Sequence, residues 1–362
     1  MARRQIRFRI DPTGALEVID PDTLALELLA EIDPSSIHER RTGHAASHFC
    51  TTSAIAVPLT RSNLKEVTTE QLWRVHDEAL KAPKHGAGPQ SVSVLAVKVE
   101  LARRELMHCR LCRHRCGINR IDGELGRCGL GREAVVAEHF VHVAEEDTFN
   151  PAYVLNLRGC ALRCRYCQQH ALLSPAGPGH ALTPSLWSDI DLEGARSLEF
   201  VGGNPDESVH AALRFLERAP SSFTLPIVWN CHGYAEPVLY RLLRGVVDVY
   251  VPDFKYWDDG CARKWSGVDG YHDAACAGLE SMLLQDAQVI VRVLVLPGHS
   301  ECCHLPTLRW LARFGSRLSV HILDQYAPDF RIVSSDGLMA FRPSSRELNR
   351  IVQAARKLGL QL

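Results

Sequence analysis

A short cysteine-rich loop is the strongest chemical feature of the chain. The stretch "GCALRCRYCQQH" places Cys160, Cys164 and Cys167 in the spacing C-x3-C-x2-C, and no fourth cysteine follows closely. Iron–sulfur clusters are held by cysteine thiolates, and a fully ligated four-iron cluster uses four of them. Three thiolates therefore leave one iron open to a further ligand. The competing interpretations are a zinc site completed by a distant residue and a cysteine-rich loop that binds no metal.

A second cysteine set lies upstream and has four members. Cys109, Cys112, Cys116 and Cys128 have the spacing C-x2-C-x3-C-x11-C. Four thiolates suit either a closed structural zinc site or a second [4Fe–4S] cluster. Both interpretations stay open, and the cluster is preferred because the first loop already requires iron–sulfur maturation of the chain.

Six further cysteines lie outside both sets, out of thirteen in the chain. Disulfides are rare in a reducing compartment, so clustered cysteines indicate ligands, whereas isolated ones are typical of small buried side chains. We therefore expect the remaining six to be buried apolar residues: Cys50, Cys231, Cys261, Cys276, Cys302 and Cys303.

Strands and helices alternate from about residue 153 onward. Six short apolar, β-branched runs are separated by stretches with helical periodicity, and this alternation predicts parallel βα units. The predicted fold class is α/β, with a partial (β/α)6 TIM-like barrel. Chemistry in such barrels gathers at the carboxyl ends of the strands. Polar or glycine residues follow the runs there: Gly202-Gly203, Asn230 to His232, Asp253 and Lys255, Pro297-Gly298, and Asp324 to Tyr326.

Three regions are predicted along the 362 residues. Residues 1–88 form an N-terminal extension of unknown role that contains a capped helix starting near Thr68 or Thr69, and the Pro/Gly-rich residues 82–90 predict a linker. Residues 89–145 carry a helix and the upstream cysteines. Residues 146–362 form the barrel and end in a helix.

Bulk charge and hydropathy exclude several classes of function. The formal net charge is −1, which does not favour nucleic acid or an anionic membrane as a partner. The N-terminus lacks the apolar segment of a signal peptide, and no apolar run is long enough to span a bilayer. We expect a soluble, cytoplasmic protein.

The motifs together resemble a known superfamily. The C-x3-C-x2-C loop with Tyr166 before its last cysteine resembles the signature of radical S-adenosylmethionine (SAM) enzymes. The stretches "CRLCRHRCGINRIDGELGRCG", "EFVGGNPDES", "LPIVWNCHGY", "VDVYVPDFKYWDD" and "VRVLVLPGH" follow in the order of pyruvate formate-lyase activating enzymes, and look closest to a PflX-like subgroup. The resemblance covers about residues 105–330. It implies a [4Fe–4S] cluster whose open iron binds SAM, and reductive cleavage of SAM to a 5′-deoxyadenosyl radical that abstracts hydrogen.

The resemblance also assigns cofactor-binding roles to residues at the strand ends. Gly202 and Gly203 match a glycine pair that approaches the SAM amino group, and Asn204 stands where the superfamily usually has an acid. Arg292 resembles an arginine that reaches the SAM carboxylate. The resemblance also implies cofactor-binding roles for four further residues: Tyr166, Asn230, Asp253 and Lys255.

The pair Asp253-x-Lys255 resembles pyruvate formate-lyase activating enzymes in particular. In activating enzymes the residue matching Asp253 helps to hold a monovalent cation beside SAM, together with an acid at the position of Asn230. That second acid is missing here. On the substrate side, the candidates are His232, His321, Gln325 and Tyr326.

The predicted activity is that of a radical SAM oxidoreductase similar to glycyl-radical activating enzymes. A peptide-modifying radical SAM enzyme and a non-catalytic iron–sulfur protein that retains the fold are the alternatives. The expected partners are an unidentified protein, peptide or small-molecule substrate and an electron donor of the flavodoxin or ferredoxin type, with no nucleic acid and no membrane.

Overall fold

A computed structural model describes residues 7–10, 16–19, 47–83, 91–143 and 149–362. Most of residues 1–46 and most of the predicted linker, residues 84–90, lie outside this part of the chain. Two short antiparallel ladders stand apart from the main sheet: β1 (Arg7–Ile10) pairs with β2 (Leu16–Ile19), and β3 (Ala56–Val57) pairs with β4 (Val92–Ser93).

An eight-stranded, mostly parallel sheet forms the centre of the protein. Six parallel strands coincide with the six predicted apolar runs, and two antiparallel strands extend one edge. The sheet contains β5 (Val135–His142), β6 (Ala152–Leu157), β7 (His180–Ala181), β8 (Ser197–Gly202), β9 (Ile227–Cys231), β10 (Val249–Pro252), β11 (Gln288–Leu294) and β12 (Ser319–Leu323). Their order is β12-β11-β10-β9-β8-β6-β5-β7, so the sheet is open. The predicted α/β partial barrel is confirmed.

Helices connect the parallel strands from β8 onward, and further helices precede β5 and follow β12. They are α1 (His48–Ala54), α2 (Asn63–Glu66), α3 (Thr69–Lys81), α4 (Val94–Met107), α5 (Val209–Glu217), α6 (Pro237–Leu243), α7 (Asp259–Ser266), α8 (Tyr271–Leu283), α9 (Leu305–Leu311) and α10 (Ser345–Lys357). Thr68 caps α3 through a capping box with Gln71, as the sequence predicts. No helix in the described ranges combines the length and apolarity needed to cross a membrane.

The two faces of the sheet bury different residues because strand side chains alternate. Trp229 and Tyr250 point outward into the large core shared with the helices. The side chains that alternate with Trp229 and Tyr250 along the strands point to the inner face instead. There, Val228, Val251 and Ile290 belong to a small separate apolar cluster. Polar side chains take over on this inner face toward the carboxyl ends of the strands. The inner face therefore has an apolar floor and a polar rim.

A buried lysine joins α4 to the barrel. The Lys98 ammonium is fully buried and donates to the Leu242 carbonyl at 3.0 Å, to the Arg244 carbonyl at 2.8 Å and to His76 Nε2 at 2.7 Å. Burial lowers the pKa of Lys98 well below its usual range, and the three acceptors stabilise the protonated form, in which three donors meet them. Burial, reinforced by the Lys98 charge, lowers the pKa of His76 to about 3, which keeps the ring neutral and able to accept.

Lys98→Met is expected to lower the free energy of unfolding by about 2–4 kcal/mol, because two buried carbonyls and His76 lose their common donor. Urea unfolding followed by circular dichroism measures this loss. The matched control is Lys65→Met, at an exposed position on α2. A Lys98→Met stability within about 0.5 kcal/mol of the wild type, the range of ordinary surface changes, would contradict this role.

Candidate functional site

The three-cysteine loop lies at the carboxyl end of β6. Cys160 and Cys164 are buried and Cys167 is half-buried. Backbone bonds hold the loop on both sides: Gly159 N–H donates to the Leu172 carbonyl at 2.8 Å, and Arg163 N–H donates to the Ser266 carbonyl at 2.9 Å. The loop is therefore fixed between the β6 end and α7.

Burial and neighbouring thiols of this loop both raise the pKa values of Cys160 and Cys167. Burial raises the pKa of the Cys160 thiol well above its usual range, and the neighbouring Cys164 and Cys167 raise it further. Burial likewise raises the pKa of Cys167 to about 11, while the Gln169 N–H directed at its sulfur lowers it. Several sulfurs buried together are costly as uncompensated thiolates. Such a donor set suits a metal centre that supplies positive charge.

A chain of hydroxyl groups ends on one of these sulfurs. Cys164 Sγ lies 2.9 Å from Ser266 Oγ, which lies 2.7 Å from the Tyr256 hydroxyl. That hydroxyl in turn lies 2.6 Å from the hydroxyl of Tyr166. All four side chains are buried. The Tyr166 ring packs 5.7 Å from that of Tyr326, so Tyr166 supports the loop from behind.

The glycine pair after β8 lies directly against the cysteine loop. A Cβ on Gly202 would stand 2.3 Å from the Leu157 nitrogen, and a Cβ on Gly203 would stand 2.3 Å from the Gly159 carbonyl oxygen. Gly202 also has a φ of +104°, which side chains rarely adopt. Only glycine therefore lets the end of β8 pack this closely beside the loop.

A buried polar network lies next to the glycine pair. The Glu207 carboxylate accepts from Ala161 N–H at 3.0 Å and from Asn204 Nδ2 at 2.7 Å, and it lies 3.3 Å from His232 Nε2. Asn204 Oδ1 accepts from His232 N–H at 3.1 Å. Both ends of the Asn204 amide are thus engaged by protein groups. Glu207 fixes the backbone immediately after Cys160.

Four of the predicted residues, Asn230, Asp253, Lys255 and Arg292, lie at the inner rim of the sheet. Asn230 donates to Glu199 Oε1 at 2.9 Å. Lys255 Nζ lies 2.7 Å from Asp253 Oδ2, and Arg292 Nε lies 3.5 Å from Asp253 Oδ1. One carboxylate therefore holds two cations at the carboxyl ends of β10 and β11.

The charges at this rim favour the ionised forms. Burial opposes ionisation of Asp253, but the charges of Lys255 and Arg292 outweigh it and hold the pKa of that carboxyl below its usual value. Burial alone would lower the pKa of Lys255, yet Asp253 and Cys164 raise it above its usual range. Lys255 thus lies close enough to the cysteine loop to compensate negative charge there.

The upstream cysteines pack against the same end of the barrel. Cys109, Cys112 and Cys128 are buried and Cys116 is half-buried. His114 Nε2 lies 3.0 Å from the Ala161 carbonyl, which joins this segment to the first loop. Burial raises the pKa of Cys128 to about 11, with a further contribution from Glu207. Glu207 raises the pKa of Cys160 as well, so it lies between the two cysteine sets.

A buried arginine accompanies the upstream set. Arg120 is fully buried and donates to the Gly131 and Glu207 carbonyls, both at 2.9 Å, while Nη1 lies 3.9 Å from Cys109 Sγ. Its second terminal nitrogen, Nη2, has no hydrogen-bond partner. Buried charges are normally paired. Thiolates of the upstream set would supply the countercharge that Arg120 needs.

The distances between the sulfurs distinguish these two cysteine sets from a site for a single zinc ion. Tetrahedral zinc with Zn–S bonds of about 2.3 Å holds its sulfurs roughly 3.8 Å apart. Among the described residues, neither set contains three sulfurs that all lie within 4.8 Å of one another. Both sets are therefore more widely spread than one zinc ion requires.

Glu199, Glu207 and Arg120 were not predicted from the sequence. Glu199 had a signal: a carboxylate inside an apolar strand must face a polar surface or a partner. Glu207 and Arg120 had none, because their roles depend on which backbone groups the fold brings to them.

Known proteins resemble the chain at low identity. No family model matches. An uncharacterised protein of Methanocaldococcus jannaschii is 27% identical over 313 residues, covering 82% of this chain and 90% of its own.

Similar solved structures cover part of the chain. SuiB of Streptococcus suis, bound to S-adenosylmethionine, is 14% identical with a TM-score of 0.34, covering 54% of this chain and 44% of its own. The radical SAM methyltransferase TsrM of Kitasatospora setae, with cobalamin and a [4Fe–4S] cluster bound, is 14% identical with a TM-score of 0.34, covering 53% and 43%. The [FeFe]-hydrogenase maturase HydG is 13% identical with a TM-score of 0.39, covering 82% and 63%.

The chain spans less than two thirds of the length of each of these solved structures. Likeness at these scores carries no function across, so the function must be argued from the residues of this chain.

Proposed function

We propose that the chain is a radical SAM enzyme that holds a [4Fe–4S] cluster through Cys160, Cys164 and Cys167. The observation that carries this proposal is the placement of these three thiols, two buried and one half-buried, in one loop at the carboxyl end of β6, with no fourth cysteine in that loop. When bound, such a cluster supplies the electron that cleaves SAM. The spread of the three sulfurs favours a cluster over a single zinc ion.

The rim residues suit the binding of SAM beside that loop. Asp253, Lys255 and Arg292 present both signs of charge, which matches the amino and carboxylate groups of an amino acid. Gly202 and Gly203 bring backbone groups against the loop. The Asn204 amide already donates to Glu207 and accepts from His232 N–H. We therefore assign the amino group of SAM to Asp253 and to backbone carbonyls rather than to Asn204.

The upstream set is proposed to hold a second [4Fe–4S] cluster. The wide sulfur spacing and the buried Arg120 support a centre with several thiolates. Its packing against the first loop through His114 supports a role in delivering electrons to that loop. A donor of the flavodoxin or ferredoxin type would then supply the second cluster.

The direct test is anaerobic. Reconstituted full-length protein is incubated with SAM and dithionite, and 5′-deoxyadenosine and methionine are quantified by mass spectrometry. We expect both products in equal amounts. Protein that carries its iron and sulfide and still forms neither product would favour a non-catalytic iron–sulfur protein with the same fold.

Activation of a glycyl-radical protein is the narrower proposal, supported by the motif order and by the Asp253-x-Lys255 pair. Incubation with deuterated candidate substrates tests it, because hydrogen abstraction transfers deuterium to 5′-deoxyadenosine. Deuterium from a glycine α-position supports glycyl-radical activation, and deuterium from another peptide position supports peptide modification.

The Ser266 hydroxyl is expected to tune the first cluster. A hydroxyl that donates to a thiolate ligand stabilises the reduced cluster. Ser266→Ala should therefore make the midpoint potential more negative by about 40 mV, the equivalent of one hydrogen bond of about 1 kcal/mol for one electron. A potentiometric titration followed by electron paramagnetic resonance (EPR) measures the shift. Ser281→Ala, on α8 with its hydroxyl bonded to the Ala277 carbonyl, is the control; equal potentials in both variants would contradict this role.

A further inference from the structure

Three of the cysteines outside both sets meet beside α7. Cys261 lies in α7, and Cys302 and Cys303 lie in the helical turn Ser300–His304 that precedes α9. Their three sulfurs all lie within 4.8 Å of one another, and the Cys261 and Cys302 sulfurs are 3.7 Å apart. Within the described ranges, this is the one group of three or more His, Cys, Asp or Glu residues so closely placed. The expectation that all six remaining cysteines are buried holds for Cys231 and Cys303, whereas Cys50, Cys261, Cys276 and Cys302 are half-buried. The three grouped cysteines are also not isolated from one another.

The 3.7 Å between the Cys261 and Cys302 sulfurs matches the spacing of two ligands on a single tetrahedral ion. Thiolates on zinc, at Zn–S distances of about 2.3 Å, stand roughly 3.8 Å apart. Soft sulfur ligands select soft or borderline ions such as zinc over magnesium or calcium. We propose that Cys261, Cys302 and Cys303 bind a zinc ion at a third centre, distinct from the two cysteine sets described above.

The backbone positions these cysteines independently of any ion. Cys261 N–H donates to Asp258 Oδ1 at 2.8 Å, which caps α7. Cys303 N–H donates to the His299 carbonyl at 3.0 Å. His304 Nε2 accepts from Leu296 N–H at 3.1 Å, which ties the turn to the end of β11. Two separate elements therefore deliver the three sulfurs to one point.

The fourth ligand comes from outside the cysteine group. Cys261 lines a cleft of about 330 Å³ together with Lys264, Trp265 and His299. His299 is not available, since its Nε2 accepts from Trp265 Nε1 at 2.9 Å and its Nδ1 faces the Pro297 carbonyl at 2.8 Å. Because no further His, Cys, Asp or Glu of the described residues joins the group within 4.8 Å, we assign the fourth position to a water molecule or a small anion that enters from the cleft beside Cys261. Three protein ligands and an exchangeable fourth resemble an open rather than a closed zinc site.

Zinc binding to these residues needs no redox partner. The three thiols lose their protons to solvent as the Zn–S bonds form, and no electron is transferred. A Cys261–Cys302 disulfide is the oxidative alternative, and it requires the 3.7 Å separation to shorten to about 2.05 Å.

The test compares metal contents of full-length proteins purified anaerobically from zinc-supplemented cultures. Zinc, iron and sulfide are measured for the wild type, Cys261→Ser, Cys302→Ser and the control Cys276→Ser, a half-buried cysteine on α8 outside the group. We expect each of the first two variants to lose one zinc ion per chain relative to both the wild type and the control. Their iron and sulfide should stay at the wild-type level.

Three results would overturn the proposal: wild-type zinc in Cys261→Ser and Cys302→Ser, an equal zinc loss in Cys276→Ser, or a Cys261–Cys302 disulfide in the anaerobic wild type by non-reducing mass spectrometry. Both ligand positions are half-buried, and thermal melting checks that the variants fold. Zinc at the upstream cysteines would persist in all three variants. Because the readout is zinc rather than SAM cleavage, this proposal can fail or hold independently of the proposed enzyme function.

Discussion

Cys160→Ala, Cys164→Ala and Cys167→Ala are each expected to reduce SAM cleavage to the uncatalysed background, a loss of at least about three orders of magnitude. The three thiols are the only protein ligands that we assign to the open cluster, so the loss of one leaves two corners without a thiolate. Iron content should fall by about four ions per chain, the size of the cluster. Quantified 5′-deoxyadenosine and iron, measured on anaerobic protein, check both outcomes.

Two controls make this result specific. Cys276→Ala removes a half-buried cysteine outside all three groups and should keep wild-type cleavage. Cys112→Ala removes an upstream ligand and should leave the Cys160 loop loaded. Cleavage at the wild-type rate in the Cys160, Cys164 and Cys167 variants would contradict the assignment.

Glu207→Ala is expected to have the second largest effect, a loss of about 3–5 kcal/mol in the free energy of unfolding. This fully buried carboxylate is the common partner of Ala161 N–H, Asn204 and His232. Its removal leaves all three without that partner and frees the backbone after Cys160. We expect lower iron occupancy as well as a lower melting temperature.

Matched variants separate the role of the charge from that of the shape. Glu207→Gln keeps one oxygen for Ala161 N–H but turns its amide nitrogen toward Asn204 or His232, so an intermediate loss is expected. Glu193→Gln changes an exposed carboxylate and should leave melting unchanged. A Glu207→Ala protein that melts like the wild type and binds full iron would show that Glu207 does not position the loop.

Periodicity was sufficient to predict the parallel strands but not the edge of the sheet. The runs that became β6 and β8 to β12 are short, apolar and separated by helical stretches, which is the pattern of buried parallel strands. The antiparallel strand β5 was missed because it precedes the alternation of strands and helices, from about residue 153, on which the prediction rests. β7 was missed because it has only two residues, His180 and Ala181.

Local spacing identified two cysteine groups and missed the third. The C-x3-C-x2-C loop is readable because its members are neighbours in sequence. Cys261 and Cys302 are separated by a helix, a strand and a turn, and only the packing of α7 against the turn before α9 brings their sulfurs together. Tertiary contacts of this kind leave no periodic signal in the sequence.

The residue type at Asn204 is explained by the network around it. The resemblance leads one to expect an acid there, which would face the Glu207 carboxylate at a fully buried position. An amide instead donates to Glu207 and accepts from His232 N–H. Asn204→Asp would place two carboxylates side by side, so the amide preserves the position of the loop.

EPR of the reduced protein with and without SAM tests the central claim most directly, because it reports on the iron that the three cysteines leave open. The protein is reduced with dithionite after reconstitution, and spectra are compared before and after SAM is added. We predict that SAM changes the g-values of the signal that depends on Cys160, Cys164 and Cys167, and leaves that of the upstream cluster unchanged. The claim would be contradicted if the cluster held by these three cysteines is fully reduced and its g-values at saturating SAM are identical to those without SAM.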